Sequence, residues 1–125
     1  MLDLDHRQHI EPYQRLGYVH SEDGYIIWRT GTGGNAELLH LRSHRPGGGQ
    51  RLLVRMLAAL AADPPYASVF GFTRVSNTEA QEFYRKAGFT LTRVTGVYAD
   101  GEAIVFSRPY AELLALHRVE EEDDA

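Results

Sequence analysis

The chain has 125 residues, 43% of them hydrophobic, no cysteine, and a formal net charge of −4. That length suits one domain, the apolar fraction can build a core without disulfides or metal, and thiol nucleophiles and thiolate metal sites are excluded. Glu120, Glu121, Glu122, Asp123 and Asp124 supply −5, leaving +1 for the rest, so nothing supports a nucleic-acid-sized basic surface.

Residues 1–118 read as one domain and 119–125 as an acidic, solvated tail. Met1-Leu2-Asp3-Leu4-Asp5-His6 lacks the apolar run of a signal peptide, and no stretch could span a membrane. With no cysteine, the expected location is the cytoplasm.

In chain order, residues from Asp5 to Leu16 suggest a short helix, weakened by Pro12. Tyr18–His20 and Tyr25–Thr30 read as strands turning at Ser21-Glu22-Asp23-Gly24. Gly31-Thr32-Gly33-Gly34-Asn35 is a turn into a strand over Ala36–Leu41. Leu52, Leu53, Met56, Leu57, Leu60 and Ala61 recur at helical spacing, which predicts a helix over Gln50–Ala62, stopped by Asp63-Pro64-Pro65. Ala67–Thr73 is the next strand.

Ser76-Asn77-Thr78-Glu79 reads as a capping box opening a helix, with Ala80, Phe83, Tyr84 and Ala87 on one face and Gly88 as its stop. Phe89–Val97 and Ala103–Ser107 are paired strands around Ala99-Asp100-Gly101-Glu102. Pro109 at a first helical position opens a last helix reaching His117.

Arg45-Pro46-Gly47-Gly48-Gly49-Gln50-Arg51 joins the central strand to the central helix. Glycines there let successive backbone N–H groups converge at the positive end of the helix dipole, a cradle for phosphate oxygens. A P-loop is excluded because Gln50-Arg51, and not Lys-Ser/Thr, follows Gly49. The dinucleotide fingerprint fails because Leu52 stands where its last glycine belongs. A glycine-rich connector is the plain alternative. Arg42, His44, Arg45 and Arg51 around the turn favour the phosphate reading.

His44-Arg45-Pro46-Gly47-Gly48-Gly49 resembles the Q/R-x-x-G-x-G/A cofactor loop of the GCN5-related N-acetyltransferase (GNAT) superfamily, with His44 at the Gln/Arg position. Asn77-Thr78-Glu79-Ala80-Gln81-Glu82-Phe83-Tyr84-Arg85-Lys86-Ala87-Gly88-Phe89 resembles that family's N-x-x-A-x-x-F-Y-x-x-x-G-F signature. The resemblance runs from about Glu37 to Ser107. It implies an α+β fold: a mixed, mostly antiparallel sheet with helices on both faces and a shortened N-terminal part. It also implies acetyl-CoA as co-substrate, lying between two parallel strands that splay apart, Ala36–Arg42 and Ala67–Thr73. Main-chain groups of Leu41, Arg42 and Ser43 would bond the pantetheine arm. Backbone amides from Arg45 through Arg51, those of Gly47, Gly48, Gly49 and Gln50 among them, would hold the pyrophosphate, with His44 beside the phosphates.

Acyl transfer to an amine needs a neutral amine and a proton for the leaving thiolate, and direct attack needs no covalent enzyme intermediate. The resemblance places Tyr84 as the acid beside the sulfur; packing beside Phe83 is the alternative. Glu37 stands where family members place a carboxylate that accepts the amine proton, or it is a solvated strand-edge glutamate. Asn77 contacts the cofactor or caps its helix. Trp28 and Tyr25 line the acceptor pocket or belong to the core. His40 and His44 have no third ligand at a convincing spacing, so no metal is expected.

The function expected is acyl-CoA-dependent N-acyltransfer to a primary amine on a small molecule, peptide or protein, without nucleic-acid or membrane partners. Two rivals stay open. One is a non-catalytic acyl-CoA-binding or interaction module on the same fold; the other is a plain nucleotide-binding protein. A homodimer would let a trimmed domain complete its sheet or pocket.

Overall fold

Six strands form one sheet in the computed structural model, which describes residues 15–31, 34–61, 66–99 and 101–117. The strands are β1 (Arg15–Ser21), β2 (Gly24–Thr30), β3 (Asn35–Ser43), β4 (Ser68–Arg74), β5 (Thr90–Tyr98) and β6 (Gly101–Pro109). The helices are α1 (Gly48–Leu60), α2 (Thr78–Lys86) and α3 (Tyr110–His117). Across the sheet the order is β1-β2-β3-β4-β6-β5. Only β3 and β4 run parallel; every other neighbouring pair is antiparallel. A parallel pair needs a long crossover, and α1 supplies it.

The β2–β3 ladder shifts register once. Ile27 faces His40 and Trp28 faces Leu38, which leaves Leu39 without a partner opposite. This is a β-bulge, and it changes which side chains of β3 share a face. Ala36 and Leu38 lie on one face before the bulge; Leu41, opposite Ile26, returns to that face after it. Glu37 and His40 lie on the other.

The first face carries the core. Ile26, Trp28, Ala36, Leu38, Val69 and Phe106 pack with Leu52, Leu53, Met56 and Leu57 of α1, Tyr84 of α2 and Leu113 of α3. The four α1 residues are fully buried, each stabilising the fold by about 1.5–3 kcal/mol. Tyr110 closes the helix layer, its hydroxyl donating to the Leu57 carbonyl at 3.0 Å. All three described helices therefore lie on one face, where the resemblance implies helices on both. Among the described residues no helix covers the other, where Ile27, Phe70, Phe72 and Val105 stand outside the core cluster.

Most element boundaries shift by a residue or two from the sequence reading, and four of the differences bear on the local chemistry. Arg15 and Leu16, expected at the end of a helix, belong to β1, and the rest of that helix lies outside the described residues. Helix α1 starts at Gly48, two residues early, so Gly48 and Gly49 form its first turn. Helix α2 is capped by Asn77, not Ser76: Asn77 Oδ1 accepts from Ala80 N at 3.1 Å. The frame slips by one because Thr78 is already helical, which puts Ala80 rather than Glu79 at the third position. Pro109 ends β6, and α3 begins at Tyr110.

Candidate functional site

Strands β3 and β4 pair from Asn35↔Ser68 to Leu38↔Gly71 and no further. Beyond that point β3 continues to Ser43 beside β2 alone, and β4 continues to Arg74 beside β6 alone. The two parallel strands thus part at Leu38 and Gly71, and the fork opens toward the N-termini of α1 and α2. Gly71 has to be glycine there. A Cβ would lie 2.3 Å from Phe106 Cζ and 2.8 Å from the Leu38 carbonyl oxygen.

Above the fork is a cleft of about 590 Å³, within the range of small-molecule sites. One wall is Leu41 and Ser43 of β3, then Arg45, Gly47, Gly49 and Gln50 of the turn and first helical turn. Gly47 holds φ +76°, a left-handed conformation that glycine adopts without strain, and this swings the chain into α1. The helix has no side-chain cap and no acidic residue in its first turn. Its leading N–H groups and dipole are therefore left for an anion from outside the helix.

The opposite wall is α2, with Asn77, Ala80, Phe83 and Tyr84. Tyr84 is 6% exposed. Its ring stacks on Phe106 at 3.7 Å between centroids and meets Phe83 and Phe89 edge-on. Its hydroxyl makes no hydrogen bond to a described residue, yet no buried side-chain polar atom is left unpartnered. The oxygen therefore keeps some solvent contact, on a residue that lines the cleft. Burial pushes the phenol well above its ordinary pKa, which keeps it protonated at neutral pH.

Leu41, Ser43, Arg45, Gly47, Gly49, Gln50, Asn77 and Tyr84 are thus brought together. Other residues singled out from the sequence do not line the cleft with their side chains, which leaves the main-chain roles expected of Arg42, Gly48 and Arg51 untouched. Gly48 is buried behind the cradle, and Arg51 turns its side chain away to Asp23. Arg42 pairs across from Tyr25 on the other sheet face, and His44 lies outside the cleft lining. Glu37 is also on that face, one residue before the fork, with Oε1 accepting from Arg29 Nε at 2.8 Å. Trp28 belongs to the core at 6% exposure. Tyr25 instead borders a shallow hollow with Tyr18, Ile27 and His40. Among the described residues no group of His, Asp or Glu has metal-holding geometry, and no helix is long and apolar enough to cross a membrane.

The sequence reading missed Asp23. Arg45 Nε donates to its Oδ1 at 2.8 Å, and Arg51 donates to Oδ1 at 2.8 Å and Oδ2 at 3.0 Å. These hydrogen bonds hold the Asp23 carboxyl far below the usual carboxylate range. Phe83 was read as a packing residue, but it forms cleft wall against Gly49.

The forked parallel pair beneath an uncapped, glycine-led helix is the arrangement that the sequence resemblance implies. This chain has the fold of the GCN5-related N-acetyltransferase superfamily. It superposes on Ard1 from Thermoplasma volcanium with TM-score 0.59 and 26% identity, covering 68% of this chain and 61% of that one. The ribosomal-protein-S18-alanine N-acetyltransferase of Escherichia coli matches with TM-score 0.60 and 21% identity, over 88% and 89%. Arabidopsis thaliana Naa50, solved with the bisubstrate analogue CoA-Ac-MVNAL, matches with TM-score 0.55 and 21% identity, over 67% and 63%. The match spans less than two thirds of the Ard1 and Naa50 chains. No protein-family model and no curated protein matches the sequence.

Proposed function

We propose that the chain is an acyl-CoA-dependent N-acyltransferase that passes an acetyl group to a primary amine, within one domain over residues 1–118. The observation carrying this reading is a single cleft that joins the β3–β4 fork to the uncapped N-terminus of α1. Amides of the glycine turn and the Arg45 side chain hold the pyrophosphate. The free backbone edge of β3 at Leu41–Ser43 bonds the pantetheine arm. The thioester then lies near the fork, beside the Tyr84 hydroxyl.

Tyr84 donates to the departing sulfur. Its raised pKa keeps the proton available but opposes full transfer to a thiolate, whose ordinary pKa is near ~8.5. Desolvation of the thiolate in the same cleft narrows that gap. The amine approaches from the opposite sheet face, where Glu37, oriented by Arg29, takes its proton through water. Asn77 caps α2 and lines the cleft, so it fixes the wall more than it binds.

The bisubstrate complex of Naa50 and the S18-alanine activity of the Escherichia coli relative make peptide N-termini the first acceptors to try. Free CoA release from acetyl-CoA over a panel of small amines and peptides tests the reading, and acceptor-dependent release is expected. One observation favours a second reading, an acyl-CoA-binding module without turnover: among the described residues no helix walls the acceptor face. Tight binding without release over the whole panel selects that module.

A further inference from the structure

We infer that Asp23, in the turn between β1 and β2, is a positioning residue that shapes the phosphate cradle before any ligand arrives. This role presupposes the acyl-CoA reading above. Three groups of contacts converge on Asp23. Its carboxylate receives Arg45 Nε on one oxygen and both Nε and an Nη of Arg51 across two. Its carbonyl oxygen accepts from His44 N at 2.7 Å, which fixes the first residue of the turn. Its backbone also presses on Gly48, where a Cβ would lie 2.7 Å from Asp23 O and 3.2 Å from Asp23 Cβ. Asp23 N is in turn held by Ser21 Oγ at 3.1 Å.

The consequence is geometric. Arg51 borders a hollow with Asp23 and Arg55 that adjoins the cleft at Gly47 and Gln50, and it also donates to the Pro46 carbonyl at 3.1 Å, so its fork ties the carboxylate to the turn without lining the cleft itself. Arg45 does line the cleft, and Asp23 with Glu22 holds its guanidinium in place, the latter at 3.1 Å. A carboxylate beside a polyanion site is unfavourable by Coulomb's law alone. Its presence here makes sense if it orders the donors that bind the anion.

The two effects have opposite signs, so one variant separates them. Asp23→Asn removes a negative charge: pure electrostatics strengthens CoA binding, whereas a lost positioning residue weakens it by about tenfold or more. Calorimetric titration of CoA into wild type and Asp23→Asn is the test. Hydrogen exchange over residues 43–52 of the ligand-free proteins reads the same point independently. We expect weaker CoA binding and faster exchange confined to that segment. Equal or tighter binding by Asp23→Asn overturns the inference and leaves the functional reading standing. A wild type that binds no CoA overturns the reading itself. If Asp23→Asn does not melt cooperatively, Arg51→Gln decides: unchanged CoA affinity overturns the role, and a clear loss from a side chain outside the cleft supports it.

Discussion

Tyr84→Phe removes one oxygen from the centre of the proposed chemistry and leaves the packing alone. The ring stacks on Phe106 and meets Phe83 and Phe89 edge-on, and none of those contacts uses the hydroxyl. The oxygen has no hydrogen-bond partner among the described residues, so no donor or acceptor is orphaned by its loss. Stability should change by less than about 1 kcal/mol, the scale of one ordinary hydrogen bond. Melting should move by no more than about 4–8 °C. Tyr84→Ala is the wrong probe, because removing the ring costs about 3–5 kcal/mol and mixes unfolding with catalysis. If the hydroxyl serves the leaving sulfur, kcat falls by about a hundredfold, equivalent to about 2.7 kcal/mol of barrier. Acetyl-CoA affinity should hold, since the interaction forms mainly in the transition state. The assay is steady-state CoA release with the acceptor found by the amine and peptide panel, beside a calorimetric Kd. A decrease of only twofold, with chemistry limiting the rate, refutes the acid role and returns Tyr84 to packing.

Gly49→Asp should weaken acetyl-CoA binding by at least about tenfold, because it sets a carboxylate in the phosphate wall, where like charges cost several kcal/mol. Calorimetry on the folded variant checks this; a Cβ at Gly49 meets the Phe83 ring edge at 3.0 Å, whereas at Gly48 it would lie 2.7 Å from the Asp23 backbone oxygen, which has less room to give. Asn77→Ala should destabilise the protein by about 1 kcal/mol through loss of the α2 cap, visible in urea denaturation, with a smaller effect on acetyl-CoA affinity. For Asp23, whose folded pKa is depressed by Arg45 and Arg51 with Glu22 nearby, the stabilisation is present above its unfolded pKa near ~3.9 and is lost as pH falls toward the folded value. The stability difference between wild type and Asp23→Asn should therefore stay level from neutral pH to about pH 4 and shrink below it.

The parts legible in the sequence are those set by local chemistry. The glycines, the period of Leu52, Leu53, Met56 and Leu57, and the run from Asn77 to Phe89 each encode their own conformation within a few residues. Alternation along β2 was also readable: Trp28 shares a face with Ile26, and Tyr25 with Ile27, so Trp28 and Tyr25 could not line one pocket. The bulge was hidden, because Leu38-Leu39 reads as an unbroken apolar strand and only β2 reveals the unpaired residue. Asp23 was hidden for a different reason. Glu22-Asp23-Gly24 is ordinary turn composition, and the arginines it holds lie 22 and 28 residues away. The register that brings that turn beside the cradle comes from strand pairing, which no local pattern states.

The central claim is that acetyl-CoA occupies the cleft between α1 and α2, and amide NMR during an acetyl-CoA titration addresses it most directly. Saturable shifts should concentrate at Leu41, Ser43, Gly47, Gly49 and Gln50, with a second group from Asn77 to Tyr84, while β5 far from the fork stays still. No saturable shift, or shifts centred on the opposite sheet face around Ile27 and His40, would contradict it.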